Sequence, residues 1–192
     1  MPDFRRKNIR LPASHYIGRQ WCFLTMVAED RVKRFSSASL VAENLALLMN
    51  HAECSRFTIP AYCFMPDHLH ILTNGTHDGS DLLQFADAFK QESSYAFKQQ
   101  TGQRVWQKKY YDHILRANEG WESVACYIWM NPVRKGLCSR AEDWPYSGSF
   151  TLDWRKLMTL GVDPWVPPWR KKLPQPRALA RHIGQRGSEV PG

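Results

Sequence analysis

The triplet His68-Leu69-His70 sits in Phe64-Met65-Pro66-Asp67-His68-Leu69-His70-Ile71-Leu72, at the head of an apolar run. On a β-strand, residues two apart point the same way, with Cα atoms about 6.5–7 Å apart. Both imidazoles can then reach one metal ion while Leu69 and Ile71 face a core. Further along, Tyr127-Ile128-Trp129-Met130-Asn131 places a phenol and a carboxamide four residues apart, on one face of a helix. Together these residues suggest a divalent ion, Mg²⁺ or Mn²⁺, held by His68, His70 and the Asn131 carbonyl oxygen, with open positions for phosphate oxygens. Such an ion polarises a scissile phosphate. Tyr127 would attack phosphorus in line and stay bonded to the 5′ phosphate, releasing a 3′-OH. A phosphotyrosine conserves the bond energy, so the step is reversible and suits strand transfer better than hydrolysis.

Each residue alone has a plainer reading. Paired strand histidines are often ordinary polar surface, and a single tyrosine is more often a packed aromatic with a wet hydroxyl. Asn131 precedes Pro132, a position that disfavours α geometry and often ends a helix. Tyr110 and Tyr111 are rival nucleophiles; Tyr127 is preferred because it shares a helix face with Asn131. His113 is expected to be structural, and Glu119 and Glu122 to be solvated charges at a helix start. Trp144-Pro145-Tyr146 is expected to be a packing anchor.

The elements that must position these groups follow from patterning. Residues 21–27 (WCFLTMV) form a bulky β-type run. Ser36-Ser37 can cap a helix running to about Cys54. Residues 57–65 predict a strand that Pro60 interrupts with a bulge. Pro66-Asp67 predicts a tight turn and 68–74 the return strand. Ser80 can cap a helix carrying Leu82, Phe85, Ala86, Phe89 and Ala96, with Gly102 as its stop. A strand over 110–115 and a helix from Asn118 or Glu119 follow, with Pro132 kinking or ending that helix. The order β-α-β-β-α-β-α favours an α+β sheet with helices on one side.

The 192 residues suffice for one domain with tails, and 43% hydrophobic with 12% aromatic content fits a globular chain. The net charge of +8 favours a polyanionic partner, most simply nucleic acid. Five scattered cysteines without a C-x-x-C pair indicate neither a zinc ribbon nor a disulfide framework, and fit a reducing cytoplasm. No apolar stretch spans a bilayer and no signal-peptide core follows the basic N-terminus, so no membrane partner is expected. Residues 1–19 are expected to be a basic arm, 20–150 the catalytic domain, and 151–192 a weakly structured, Pro-rich basic tail.

Several motifs occur together and in order: Met65-Pro66-Asp67-His68-Leu69-His70, Trp106-Gln107, Tyr111-Asp112-His113, Tyr127-Ile128-x-x-Asn131-Pro132-Val133-Arg134-x-Gly136-Leu137 and Asp143-Trp144-Pro145-Tyr146-Ser147. In this the chain resembles the REP-associated tyrosine transposases, a branch of the single-tyrosine HUH transposases, over roughly residues 20–150. The resemblance implies a ferredoxin-like antiparallel sheet with helices packed on it, a divalent metal, and cleavage and joining of single-stranded DNA at imperfect palindromic hairpins with a short flanking tetranucleotide. It places the HUH histidines at His68 and His70, the nucleophile at Tyr127 and the third ligand at Asn131. Insertion-sequence relatives often carry Gln at this last position; the shorter Asn131 moves the helix closer or weakens the metal. A monomer is expected, with a dimer as the alternative, in the cytoplasm and associated with the nucleoid.

Single-stranded DNA needs cations for its backbone and flat surfaces for its bases. Arg5 and Arg6 on the arm, Lys90 on the second helix, Lys108, Lys109 and Arg116 beside the 110–115 strand, and Arg134 and Lys135 past Asn131 are the candidates. Two other functions fit the same residues. A catalytically silent hairpin-binding module would bind DNA and leave it intact. A metal-dependent hydrolase would release a free 5′ phosphate with no protein-linked DNA.

Overall fold

The computed structural model describes residues 10–170. A five-stranded antiparallel sheet runs in the order β4-β1-β3-β2-β5, with β1 at Trp21–Val27, β2 at Phe57–Met65, β3 at His68–Gly75, β4 at Tyr111–Ile114 and β5 at Ser147–Gly148. Helices α1 (Ala38–Cys54) and α2 (Leu82–Thr101) cover one face. Helix α3 (Trp121–Trp129), its continuation α4 (Asn131–Arg134) and the short α5 (Trp154–Met158) cover the other. The architecture is the expected ferredoxin-like α+β one, extended by the two-residue edge strand β5.

Helices on one side only, the arrangement the element order favoured, is corrected by α3. The reason lies in the strands. Cys22, Leu24 and Met26 of β1 point to the α1/α2 layer, while Phe23 between them is fully buried under α3. A strand apolar on both faces needs cover on both.

Local signals set the boundaries. Ser37 caps α1 by accepting from the Leu40 N–H. Asp81, rather than Ser80, caps α2, accepting from Leu83 and Gln84. Ser80 instead donates to the Arg56 carbonyl. Gly102 ends α2 in the left-handed conformation at φ 73°.

The β2 register slips between Thr58 and Ala61, around Pro60. The slip reverses the alternation. Phe57 and Ile59 face α1 and α2, whereas Ala61, Cys63 and Met65 face α3. Cys63 thereby lies beside His70, and Met65 beside His68 across the two-residue Pro66-Asp67 turn.

Residues 151–170 differ from the expected loose tail. Trp154 stacks obliquely on Trp129, and Trp165 is buried in the α3-side core. Residues 171–192, and the arm residues 1–9 with Arg5 and Arg6, lie outside the described residues. Part of the remaining arm is packed: Tyr16 is buried, and Ile17 bridges to Asp81. Trp144 and Tyr146 are the expected anchor, with the Trp144 indole N–H donating to the Phe64 carbonyl.

In the α1/α2-side core the Trp106 indole N–H donates 2.8 Å to Ser93 Oγ, which itself donates to the Phe89 carbonyl. Ser93→Ala leaves that buried N–H without an acceptor, at a cost of about 1–3 kcal/mol. Urea titration of Ser93→Ala should show a lower midpoint with an unchanged slope.

Candidate active site

The site grows from one row of the sheet. Across it, in register, run Ser147, Cys63, His70, Thr25 and Tyr111, all on the α3 face. His68 lies two residues before His70 on the same strand face, so the rings converge: His68 Nε2 and His70 Nε2 are 3.1 Å apart. The far side of each ring is held. His68 Nδ1–H donates to Asp67 Oδ1 at 2.6 Å, and His70 Nδ1 is 2.8 Å from Thr25 Oγ1.

Thr25 matters because a hydroxyl can donate or accept. Without a cation, Thr25 O–H donates to His70 Nδ1, His70 Nε2–H donates to His68 Nε2, and His68 Nδ1–H donates to Asp67, so every ring nitrogen is satisfied. Were a cation to be held by both Nε2 atoms, the hydroxyl would accept from His70 Nδ1–H instead. Two nitrogens each about 2.1 Å from one ion, at a right angle, stand about 3.0 Å apart. The observed spacing and the donor set therefore fit a shared divalent ion. Among the described residues no three His, Cys, Asp or Glu side chains form a metal cluster, so further ligands would be an amide, water or substrate oxygens.

Electrostatics keep the pair neutral. Burial pushes both histidines below their ordinary pKa, His70 well below; the Asp67 carboxylate opposes this at His68, while Arg31 and Lys135 near His68 and Arg134 near His70 add to it. Burial alone would raise the Asp67 carboxyl. The hydrogen bond from His68, with Arg31 at 3.5 Å, brings it below its usual value instead. Neutral imidazoles are the form that binds metal.

Tyr127 comes from α3. Its ring centre lies 6.3 Å from that of His70 and 6.0 Å from Phe23, on the histidine face of the sheet. Of the rivals, Tyr110 points to the opposite layer, under Arg10 and Lys90. Tyr111 does share the site face, one strand beyond Thr25.

Asn131 has a visible structural job. Pro132 has no N–H, so the Ile128 carbonyl lacks its helical partner. Asn131 Nδ2 donates to that carbonyl at 3.2 Å and to the Tyr127 carbonyl at 3.0 Å. Its Oδ1 accepts from Arg134, whose other arm donates to the Tyr127 carbonyl. The Arg134 guanidinium also lies 4.0 Å over the Tyr127 ring. Asn131 and Arg134 thus fix the helix turn that carries the phenol.

The remaining predicted cations divide. Lys90 donates to the Gln107 and Lys108 carbonyls, tying α2 to the loop before β4. Lys108, Lys109 and Lys135 are exposed. Arg116 lines a cleft of about 560 Å³ at the β4 edge, with Leu11, His15, Tyr16, Gln20 and Asp112.

Sequence reasoning missed several participants. Thr25 carries no local signal; only the β1–β3 register reveals it. Arg31 sits in a left-handed turn, φ 53°, that brings it to Asp67. Glu119 is no solvated charge: it accepts from His113, from the Arg116 N–H and from the Trp165 indole. Those bonds outweigh burial and hold its carboxyl below the ordinary value.

A family model described as IS200-like transposase matches residues 20–130, and the chain belongs to that family. Its curated relatives are REP-associated tyrosine transposases. One, from Escherichia coli K12, is 24% identical over 162 residues, 80% of this chain and 91% of that protein. Another, a Haemophilus influenzae protein described as a putative REP-associated tyrosine transposase, is 28% identical over 142 residues, 68% of this chain and 80% of that protein. A solved structure of the REP-associated tyrosine transposase bound to a REP hairpin matches with TM-score 0.58 at 20% identity, covering 87% of this chain and 92% of that one. Among the described residues no helix is long and apolar enough to cross a membrane.

The Asn131 contacts predict a cost that needs no metal. In EDTA, Asn131→Ala should lose about 1–3 kcal/mol of stability, because the Tyr127 and Ile128 carbonyls and Arg134 lose partners together. Chemical denaturation of the metal-free variant checks this; a group serving only as a ligand would leave that midpoint unmoved.

Proposed function

We propose that this chain is a single-stranded DNA transposase that cleaves and rejoins DNA beside hairpins through a 5′-phosphotyrosine on Tyr127. The observation that carries the reading is the convergence of the two Nε2 atoms at 3.1 Å on the sheet face where Tyr127 lies. Family membership supports the class of activity, and the hairpin in the related structure supports the substrate.

His68 and His70 would hold a Mg²⁺ or Mn²⁺ ion, with the Asn131 oxygen as a third group if Arg134 yields it. When bound, the ion supplies Lewis-acid polarisation of the scissile phosphate. The chain's own residues do the rest. Tyr127 Oη forms a bond to phosphorus, the bond from phosphorus to the 3′ oxygen breaks, and the phenolic proton is balanced by the proton on the released 3′-OH. Arg134, over the ring, holds the Tyr127 side chain in place. Asp67 and Thr25 orient the imidazoles. Because Tyr127 lies against the histidines of its own chain, a monomer holds the whole set.

A hairpin oligonucleotide labelled at its 3′ end, incubated with Mn²⁺ and run on a denaturing gel, should give a labelled protein band. The band should vanish in EDTA and in Tyr127→Phe. Cleavage that persists in Tyr127→Phe removes that residue as nucleophile. A free 5′ phosphate without an adduct favours the hydrolase, and intact DNA with salt-sensitive binding favours the silent module.

Thr25→Val removes the hydroxyl that accepts from His70 Nδ1–H in the ion-bound form. Mn²⁺ affinity, followed by calorimetric titration, should fall about 10–100-fold, and Thr25→Ser should restore most of it.

A further inference from the structure

Beside the histidines lies an aromatic slot that no step above uses. Its floor is Phe23 of β1 and its side wall is Tyr111 of β4, with ring centres 6.2 Å apart. Phe23 stands 5.3 Å from His70 and 6.0 Å from Tyr127, so the slot opens next to the phenol and the metal-binding rings. Two indoles from the C-terminal segment fill it, and they are held differently.

Trp165 is fixed. It is buried, its backbone N–H donates to the Ser123 carbonyl at 2.8 Å, and its indole N–H donates to Glu119 at 3.0 Å. Trp169 rests on ring contacts. It stacks on Phe23 at 6.1 Å with 29° between planes, and meets Tyr111 edge-on at 4.7 Å. It is 39% exposed, and its indole N–H has no hydrogen-bond partner among the described residues.

We propose that the Phe23–Tyr111 slot is a nucleobase subsite, in which a base of the single strand flanking the scissile phosphate takes the position Trp169 now occupies. The inference rests on the proposed DNA-strand chemistry and adds where a base is held. An indole and a purine are both flat, fused two-ring systems, so a ring stacked on Phe23 at this edge marks a space of purine dimensions. Unpaired bases stack on aromatic side chains with little sequence demand. Trp165 remains as the fixed wall between the base and Tyr127, from which its ring centre is 5.5 Å. Tyr111 suits the role: burial and then the Asp112 charge push its hydroxyl up to about 12, so it stays neutral beside a polyanion. Tyr111 is thus a substrate-positioning residue and not a second nucleophile.

The test uses full-length Tyr127→Phe protein, which leaves DNA intact, and a hairpin oligonucleotide with single-stranded flanks. 2-Aminopurine is placed at one flank position at a time, and its fluorescence is read on binding. One flank position should be quenched several-fold. Adding Tyr111→Leu should restore at least half of that signal, whereas Tyr111→Phe should not. Trp169→Ala, a surface change that does not threaten folding, should leave the quench intact or deepen it. A bright probe at every flank position, or quenching indifferent to Tyr111→Leu, overturns the subsite. Loss of quenching in Trp169→Ala overturns it too, because Trp169 would then be the stacking partner. The covalent adduct formed by the unmodified chain is scored separately. An adduct without quenching defeats the subsite alone, and quenching without an adduct defeats the strand-transfer reading alone.

Discussion

His68 Nε2 and His70 Nε2 approach to 3.1 Å, and two lone pairs cannot sit that close unless a proton or a cation lies between them. Everything around the pair follows from sustaining that approach. The β3 alternation points both rings to one face, the turn at Pro66-Asp67 supplies a carboxylate to one, and the β1 register supplies a hydroxyl to the other. A one-residue slip of β1 against β3 would replace Thr25 with Leu24 or Met26 and send every core side chain of β1 to the wrong layer. The same hydrophobic pattern that buries Leu24 therefore guarantees the hydrogen bond to His70. The precision of the histidine pair is inherited from core packing.

The second constraint is charge. Burial disfavours imidazolium, and Arg31, Arg134 and Lys135 disfavour it further. The same three cations favour an anion beside the pair, and a phosphodiester is the anion a chain of net charge +8 is suited to meet. The Pro132 kink joins the two themes. It frees carbonyls that Asn131 and Arg134 must satisfy, and in doing so it brings a guanidinium over the Tyr127 ring. A helix broken at this point is stabilised by the groups that would assist the phenol.

Much of this was legible in the chain because the signals were local and periodic. The 21–27 run, the Ser37 cap, the Pro60 bulge, the Pro66-Asp67 turn and the Gly102 stop each carry their own stereochemistry, and each appears where that stereochemistry puts it. That His68 and His70 share one face follows from the strand period; that α3 brings Tyr127 to that face does not, since the element order favoured helices on one side only. What escaped depends on register or on distant partners. Thr25 looks like any strand threonine. Glu119 looks like a helix-start charge until His113 and Trp165 are seen to converge on it. Lys90 looks like a surface cation, yet its ammonium meets carbonyls 17 and 18 residues away. The segment after 150 was obscured by its own composition: prolines and basic residues advertise a loose tail, while Trp154 and Trp165 are what pack.

The α3 face explains why those tryptophans are needed. Phe23, Tyr111, Tyr127 and His70 form a continuous aromatic surface, and α3 alone covers only part of it. An apolar surface of this kind left open beside the histidine pair would be hydrated at a cost, or would attract any flat ring. Trp165 closes the inner part, held by two hydrogen bonds, one from its backbone and one from its indole. Trp169 closes the outer part through ring contact alone, at the rim where solvent already reaches it. The gradient from a fastened ring to an unfastened one runs outward from the phenol. Anything approaching from solvent would therefore meet the unfastened ring first.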